Sequence, residues 1–538
     1  MNVAELVGRT LAELGVGAAF GVVGSGNFEA TNGLRSGGVR FVAARHEGGA
    51  ASMADAYARM SGRMPVLSLH QGVGLTNALT GITEAAKSRT PMIVLTADTA
   101  ASAVLSNFRI DQDALGTAVG AVSERVHSAA TAVADTVRAY RTAWQQRRTV
   151  LLNLPLDVQA QEAPEAVLPV PGIAGPAPIR PNFEAVAKLA DLLAEARRPV
   201  FIAGRGARAG AAPLRQLAEV SGALLATSAV AHGLFPDDPF SIGIAGGFSS
   251  PQAADLIGDA DLVIGWGCAL NMWTTRHGTL LGPKARLVQV DVEQAALGAH
   301  RRIDLGVVGD VGSTATDVHA ELEKRGHSAG RQRVPAGIRW NDVPYDDLSG
   351  DGRIDPRTLS RRLDEILPAE RVLSIDSGNF MGYPSAYLSV PDENGFCFTQ
   401  AFQCVGLGLG TAIGAALARP DRLPVLGVGD GGFLMAISEL ETAVRLGVPL
   451  VVIVYNDAAY GAEIHHFGNA DMTTVRFPDT DIAAIGRGFG CDGVTVRSVE
   501  DLAGVTEWLG GPRDAPLVID AKIADDGGSW WLAEAFRH

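Results

Sequence analysis

The chain has 538 residues, which is too long for a single hydrophobic core and implies several domains. Its 59 Asp and Glu residues outnumber its 45 Lys and Arg residues, and the resulting formal charge of −14 argues against nucleic acid or an anionic membrane as the main partner. No apolar run approaches the roughly 20 residues of a membrane span, and the N-terminus lacks the basic start of a targeting segment. Four scattered cysteines without CxxC spacing indicate free thiols, so we expect a cytoplasmic protein.

Short runs rich in β-branched residues alternate with longer Ala- and Leu-rich helical patterns along the chain. The predicted buried strands are residues 65–69, 92–97, 150–156, 199–204, 261–267, 285–292, 371–376, 423–430, 449–457 and 516–523. This alternation is typical of βαβ units and predicts parallel sheets.

Two stretches interrupt the alternation and divide the chain into three domains. Residues 161–181 are rich in Pro, Ala and Gly, and residues 331–355 carry no helical or strand periodicity, so both are predicted to be linkers. We therefore expect an α/β protein with three doubly wound parallel-sheet domains, over residues 1–160, 182–330 and 356–538. The first and third share a strand-turn-helix pattern, which suggests one architecture used twice.

Oxygen-bearing side chains follow two neighbouring predicted strands of the third domain. Asp430 lies between glycines at the end of one strand, and Asn456 ends the next. Since ligands of parallel sheets bind at the carboxyl ends of the strands, a single βαβ unit brings these two side chains together. Carboxylate and amide oxygens suit Mg²⁺, and the glycines allow phosphate oxygens to approach backbone N–H groups. The pattern predicts a metal that bridges a diphosphate.

The two segments that form this pattern, GDGGF (429–433) and NDAAYG (456–461), resemble the cofactor signature of thiamine diphosphate-dependent enzymes. The resemblance implies that Asp430, Asn456 and the carbonyl of Ala458 bind Mg²⁺. It also places Gly429, Gly431, Gly432, Tyr460 and Gly461 at the cofactor. Family members usually carry Ser where this chain has Gly432, so one phosphate hydrogen bond is expected to be missing or supplied by the backbone.

The same resemblance assigns other cofactor contacts. Glu47, in ARHEGGA (44–50), would hydrogen-bond the aminopyrimidine ring from the pyrimidine-binding domain of a partner subunit, so an active site needs a homodimer or homotetramer. In the diphosphate-binding domain, DSGNFMGY (376–383) contributes Gly378 and Asn379. The carbonyl of Gln403 would hold the 4′-amino group, and Val405 would support the bent cofactor.

The side chains expected near the reacting carbon point to a 2-oxo acid substrate. Ser25 and His70 match positions that benzoylformate decarboxylases use for the substrate, and Glu463 matches a catalytic Glu of pyruvate decarboxylase-like enzymes. Gln112 lies in a segment that resembles one of acetolactate synthases in which a Gln faces the cofactor, so the resemblance implies a contact between Gln112 and the cofactor. The roles of His465 and His466, in the helix that contains Glu463, stay open.

The resemblance thus predicts non-oxidative, thiamine diphosphate- and Mg²⁺-dependent decarboxylation of a 2-oxo acid through an enamine, with carboligation as a side reaction. One alternative is an acetolactate synthase-type transferase, and another is a catalytically silent regulatory subunit that only binds the cofactor. GRGARAG (204–210) in the central domain lacks the full spacing of a dinucleotide fingerprint, which leaves FAD unsupported. WWLAEAF (530–536) is predicted to be a terminal helix that covers the pocket with exposed aromatic side chains.

Overall fold

The computed structural model describes residues 1–165, 169–330, 332–528 and 530–531. Its strands form three six-stranded sheets, and every paired strand within them is parallel. The predicted α/β fold class with three parallel-sheet domains is confirmed, and the four cysteines are free, as predicted. Among the described residues, no helix is long and apolar enough to cross a bilayer.

The N-terminal sheet has the order β2-β1-β3-β4-β6-β5. Its strands are β1 (Ala18–Gly21), β2 (Phe41–Ala43), β3 (Pro65–Leu69), β4 (Met92–Asp98), β5 (Val122–Arg125) and β6 (Thr149–Pro155). Its helices are α1 (Val3–Glu13), α2 (Phe28–Ser36), α3 (Glu47–Ser61), α4 (Val73–Lys87), α5 (Gln112–Ala118), α6 (Ala132–Gln146) and α7 (Leu156–Gln159). The central strands β3, β4 and β6 are buried at every residue because helices cover both faces of the sheet.

The central sheet has the order β12-β11-β10-β7-β8-β9. Its strands are β7 (Pro199–Ala203), β8 (Leu224–Thr227), β9 (Ser241–Ile244), β10 (Leu262–Trp266), β11 (Arg286–Asp291) and β12 (Leu305–Val308). Its helices are α8 (Phe183–Glu195), α9 (Ala211–Ser221), α10 (Pro251–Gly258), α11 (Met272–Thr275) and α12 (Val311–Lys324). Side-chain oxygens of Asn182 and Asp310 cap α8 and α12.

The C-terminal sheet has the order β14-β13-β15-β16-β18-β17. Its strands are β13 (Arg371–Ile375), β14 (Phe396–Phe398), β15 (Leu423–Gly429), β16 (Val451–Asn456), β17 (Asp492–Val496) and β18 (Leu517–Lys522). Its helices are α13 (Pro356–Ile366), α14 (Gly382–Tyr387), α15 (Gly408–Ala418), α16 (Asp430–Met435), α17 (Ser438–Arg445), α18 (Gly461–Phe467), α19 (Ile482–Gly488) and α20 (Ala503–Gly510).

The first and third sheets share one topology, since each position in the strand order corresponds between them. Their domains meet through α3 and α15, which pack closely because small residues face each other. A Cβ at Gly414 would lie 2.2 Å from the carbonyl oxygen of Met53, and one at Gly410 would lie 2.8 Å from that of Gly49. This contact fixes how the N-terminal and C-terminal domains of one chain sit together.

The described parts of the two predicted linkers, 161–181 and 331–355, contain no α-helix and no strand of a sheet. All strands of each sheet fall within one predicted domain, whereas the exact domain boundaries stay predictions.

Candidate active site

A cavity of about 1250 Å³ lies at the carboxyl-terminal edge of the C-terminal sheet. Three neighbouring strands end beside it: β13 leads to Ser377 and Gly378, β15 to Asp430, and β16 to Asp457. Residues of the N-terminal and central domains complete its walls. The cavity therefore occupies the position where parallel sheets bind ligands.

Two carboxyl groups, those of Asp430 and Asp457, lie beside each other on the cavity wall. Burial raises the pKa of Asp430 to about 6. Burial and the neighbouring charge of Asp430 raise the pKa of Asp457 to about 7. Adjacent carboxylates of this kind repel each other unless a proton or a cation lies between them, so the pair fits a divalent cation.

The structure brings Asp457, rather than the predicted Asn456, beside Asp430. The amide of Asn456 points elsewhere: its Nδ2 donates to Asp520 Oδ1 at 2.8 Å, and its Oδ1 accepts the Ala458 N–H at 3.1 Å. The Ala458 carbonyl accepts the Phe477 N–H at 2.8 Å, whereas Ala459 lines the cavity. The groups that face the cavity beside Asp430 are thus one residue further along the chain than the predicted ones, because the side chain that follows the strand end, and not the last one in the strand, faces the cavity.

Any metal at this pair must take its other ligands from backbone, bound molecule or water. In the described part of the chain, no group of three or more His, Cys, Asp and Glu side chains is arranged to hold a metal. Mg²⁺ commonly uses only one or two protein carboxylates and completes its shell with phosphate oxygens and water.

The predicted diphosphate-binding residues line this cavity together. They are Gly378, Asn379, Gly429, Gly431, Gly432, Tyr460 and Gly461. Gly378 has a φ of 148°, a conformation that a side chain rarely adopts, and a Cβ at Gly431 would lie 3.2 Å from the Tyr460 ring. The glycines leave backbone N–H groups accessible to anionic oxygens, as a diphosphate requires.

A loop between β14 and α15 presents Gln403 and Val405 to the cavity. Gln403 adopts a left-handed φ of 59°, and Val405 is 37% exposed. Behind the loop, the buried carboxylate of Asp376 accepts the N–H groups of Gly406 at 3.0 Å and Leu407 at 3.2 Å. Burial raises the pKa of Asp376 to about 6.

Asp376 also explains why this chain has Gly432 where the family usually carries Ser. A Cβ at Gly432 would lie 2.2 Å from Asp376 Oδ2 and 3.3 Å from Val405 Cγ1. The glycine is therefore required by the carboxylate that holds the loop.

Three predicted residues lie together on the N-terminal domain, just past the carboxyl ends of β1, β2 and β3. Ser25 Oγ lies 3.5 Å from His70 Nε2, and His70 Nδ1 lies 2.9 Å from the Gln71 carbonyl. Glu47 begins α3 and accepts a hydrogen bond of 3.1 Å from Asn77 Nδ2. None of Ser25, Glu47 and His70 lines the cavity of their own chain, so the predicted meeting of Glu47 with Asp430 requires a second copy and stays a prediction.

Gln112 is built into the interior of the N-terminal domain. Its Oε1 accepts the Gly72 N–H at 2.8 Å, and its Nε2 donates to the Ala97 carbonyl at 3.0 Å and to Asn153 Oδ1 at 2.8 Å. With 2% of its surface exposed, the side chain fixes the loop after β3. This arrangement gives no support to the predicted contact between Gln112 and the cofactor.

The three candidate side chains on α18 lie in different surroundings. Glu463 lines the main cavity, in agreement with its predicted location. His465 lines a smaller neighbouring pocket with Arg353 and Tyr383, and the ring of His466 packs 4.6 Å from that of Phe467.

The two described residues of the predicted terminal helix are packed into the protein, which corrects the expectation of exposed aromatic side chains. Trp531 is fully buried, with its ring 4.9 Å from Tyr383 and 6.0 Å from Phe248. Trp530 stacks 4.2 Å from Trp340. These two residues therefore join the C-terminal and central domains, and residues 532–536 of the predicted helix lie outside the described residues.

Sequence reasoning missed the buried arginines of the cavity wall. The GRGARAG segment contributes Arg205 and Arg208, and Arg59 joins them from α3. Burial and then the charge of Arg59 lower the pKa of Arg205 to about 9. The signal available in the sequence was Arg205, an arginine that directly follows a predicted buried strand. The prediction about FAD stays untested.

Three domain models of thiamine pyrophosphate enzymes match the chain. The N-terminal TPP binding domain matches residues 1–118, the central domain matches residues 186–318, and the C-terminal TPP binding domain matches residues 376–521.

Full-length relatives agree with these matches. A probable 2-ketoarginine decarboxylase of Pseudomonas aeruginosa is 31% identical over 92% of this chain and 89% of its own length. A sulfoacetaldehyde acetyltransferase of Rhodobacter capsulatus is 30% identical over 93% of this chain and 90% of its own length. A thiamine diphosphate-dependent 4-hydroxybenzoylformate decarboxylase of Rhodococcus jostii shares the fold, with a TM-score of 0.84 and 23% identity, over 98% of this chain and all of that one. The chain belongs to the family of thiamine diphosphate-dependent enzymes.

Proposed function

We propose that the protein is a cytoplasmic enzyme that decarboxylates a 2-oxo acid with thiamine diphosphate and Mg²⁺. The observation that carries the proposal is the cavity itself, where the Asp430 and Asp457 carboxylates lie beside a series of glycines at the strand ends. When bound there, thiamine diphosphate supplies a nucleophilic carbon and an electron sink for the loss of CO₂.

The metal would be held by Asp430, Asp457 and the carbonyl of Ala459. Two carboxylates supply the charge that offsets Mg²⁺. Asp457 is anchored by neighbouring backbone, since its Oδ1 accepts the Ala459 N–H at 3.1 Å. Gly378 and Asn379 would hold the diphosphate, with the Gln403 carbonyl and Val405 against the rest of the cofactor.

Glu47 would hold a proton at the aminopyrimidine ring, from a second copy of the chain. Exposed apolar side chains surround both halves of the divided site and support this assembly. Val23, Phe28, Val73 and Phe108 belong to the N-terminal domain. Val405, Met435 and Tyr460 line the cavity, and Phe477 packs 4.8 Å from the Tyr460 ring. A dimer that joins the N-terminal edge of one copy to the cavity of the other covers both sets, and a tetramer is a pair of such dimers.

Ser25 and His70 would bind the carboxylate of the substrate. Ser25 Oγ lies 3.5 Å from His70 Nε2, and His70 Nδ1 is held by the Gln71 carbonyl at 2.9 Å, which leaves the Ser25 hydroxyl as the donor to an anion beside the imidazole. Glu463, on the opposite wall, would move a proton to or from the reacting group. A decarboxylase needs these groups and no second substrate.

Transfer to a second carbonyl compound is the alternative enzyme activity. Curated relatives include a sulfoacetaldehyde acetyltransferase and, at 26% identity over 99% of this chain and 90% of its own length, an acetolactate synthase of Mycobacterium bovis. A third candidate, a silent regulatory subunit that only binds the cofactor, has no physical need for Glu47 in addition to the Asp430 and Asp457 pair.

The deciding experiment is product analysis with pyruvate and with a panel of larger 2-oxo acids, in the presence of thiamine diphosphate and Mg²⁺. Release of CO₂ with an aldehyde product supports the decarboxylase. Acetolactate from pyruvate alone identifies the transferase instead. Binding of the cofactor without turnover of any 2-oxo acid would identify the silent subunit.

A further inference from the structure

A carboxylate of the C-terminal domain holds the backbone in front of Glu47. Glu439, on α17, is 1% exposed, and its Oε1 accepts the His46 N–H at 2.8 Å and the Arg45 N–H at 3.2 Å. Its Oε2 accepts the hydroxyl of Thr442 at 2.8 Å, which fixes the rotamer. A Cβ at Gly49 would lie 2.3 Å from Glu439 Oε1, so the glycine is what admits the carboxylate.

The N-terminal domain makes the same contact in the opposite direction. Glu84, on α4, is 1% exposed and accepts the Phe402 N–H at 2.7 Å and the Ala401 N–H at 3.1 Å. Arg59 donates to Glu84 Oε1 at 2.8 Å. Burial would raise the pKa of Glu84, but Arg59 and the two backbone N–H groups outweigh it and lower the pKa below its usual value. Glu84 is therefore a charged acceptor in the interior.

The two contacts are equivalent under the shared topology of the two sheets. Helix α4 follows the third strand in the order β2-β1-β3, and α17 follows the third strand in the order β14-β13-β15. One Glu of each helix crosses the domain interface and accepts two consecutive backbone N–H groups. Glu439 accepts those just before α3, and Glu84 accepts those on the loop that leads to α15. In each case the segment held is one that carries a proposed cofactor contact: Glu47 on one side, Gln403 and Val405 on the other.

We infer that Glu439 and Glu84 are reciprocal positioning residues, which act across the domain interface of one chain. Glu439 fixes the start of α3 and so the direction of the Glu47 carboxylate, and Glu84 fixes the loop that presents Gln403 and Val405. Neither residue lines the cavity, so neither touches the cofactor itself. The inference rests on the proposed function, because Glu47 must first be shown to act on the cofactor.

Substitution by Gln keeps the size of each side chain but removes half of its acceptor capacity. The two oxygens of Glu84 accept one N–H each, so the NH₂ group of Glu84→Gln faces one of those N–H groups. In Glu439→Gln the NH₂ group replaces Oε2, which accepts from Thr442 at 2.8 Å and from the Arg45 N–H at 3.3 Å, and the oxygen that keeps the two shorter backbone bonds loses its negative charge. The held backbone should then loosen without an empty space in the core. Glu441 offers a matched control, since it lies on the same α17 and pairs with the same Arg45 through an exposed side-chain contact of 2.6 Å. Exposed pairs of this kind contribute little.

Amide hydrogen exchange of the cofactor-free full-length protein tests the contacts directly. Glu439→Gln should speed exchange in residues 44–50 at least tenfold and leave residues 400–407 unchanged, and Glu84→Gln should do the reverse. Glu441→Gln should leave both segments within twofold of the wild type. Loosening of both segments in either variant, or of neither, would overturn the reciprocal assignment.

The catalytic consequence is read from the exchange of the thiazolium C2 proton in the protein loaded with thiamine diphosphate and Mg²⁺. Glu439→Gln should slow it at least tenfold while calorimetry gives a cofactor Kd within threefold of the wild type, because the diphosphate end is untouched. Glu84→Gln should slow it and also weaken cofactor binding at least threefold. Wild-type C2 exchange in either variant refutes the inference.

Two further variants keep the outcome interpretable. If Glu439→Gln does not fold, Thr442→Val removes only the bond that fixes the Glu439 rotamer, and C2 exchange at the wild-type rate in that variant overturns the assignment. Glu47→Gln separates the two levels of the argument. If it exchanges as the wild type does, the proposed function fails; if it is slow while Glu439→Gln is not, only the positioning role fails.

Discussion

Gly432 offers a test of how the cofactor loop is held, because a single methyl group there meets a fixed carboxylate. The Cβ of Gly432→Ala would fall 2.2 Å from Asp376 Oδ2. The backbone of Gly432 is not in the left-handed region, so alanine adds no backbone strain and the effect is one of contact alone.

The expected size follows from the distances. A carbon and an oxygen atom need more than 3 Å, so Asp376 or the start of α16 must move by about 1 Å. The hydrogen bonds from Gly406 and Leu407 to Asp376 are 3.0 and 3.2 Å long, and a displacement of that size breaks at least one of them. Overpacking of this kind costs about 1–3 kcal/mol. If this cost falls on the cofactor-bound state, the dissociation constant rises roughly 5- to 150-fold.

Titration calorimetry with thiamine diphosphate and Mg²⁺ measures that change. Gly488→Ala is the matched control, since Gly488 is also helical and a Cβ there has no atom within 4 Å. It should bind the cofactor as the wild type does. A Gly432→Ala protein with wild-type affinity and an unchanged thermal midpoint would show that Asp376 does not dictate the glycine.

Asp457→Ala should weaken Mg²⁺-dependent cofactor binding by about tenfold or more, whereas Asn456→Ala should mainly lower the thermal midpoint because Asp520 loses a hydrogen bond; the reverse result in calorimetry and melting would restore Asn456 as the ligand. Chelation by EDTA should remove cofactor binding from the wild type, and binding that survives EDTA would exclude a metal. Glu47→Gln should keep its fold and its mass in solution while losing nearly all turnover, so near-normal activity would dismiss its role. Mixing Glu47→Gln with Asp430→Ala chains should restore about a quarter of wild-type activity through mixed dimers, and no recovery after subunit exchange would mean that the site does not join two chains.

The predicted glycines 378, 429, 431 and 461 line one cavity in the structure, and their binding of a diphosphate stays a prediction. Glycines at the end of a strand pointed to Gly429 and Gly431, whereas the resemblance to thiamine diphosphate-dependent enzymes implied Gly378 and Gly461. Alternation of β-rich and helical runs likewise predicted all ten buried strands that it named, within two residues at each end.

The structure differs from the predicted site where a shift of one residue along a strand changes the direction of a side chain. Asn456 and Asp457 are adjacent, and the sequence did not say which of them is the last residue of the strand and which is the first to face the cavity. The strand pairing decides this, since Asn456 pairs with Lys522 and is held by Asp520 of the same neighbouring strand.

Local periodicity and short motifs were sufficient to predict the family, the three parallel-sheet domains and the position of the candidate cofactor site. The three-dimensional structure was needed to show that Asp457 lies beside Asp430, that Gln112 is used internally and that Trp531 is buried between domains. It alone also placed Glu439 and Glu84 on the backbone of the other domain. Contacts of that kind join residues hundreds of positions apart, and no pattern within a single segment encodes the partner.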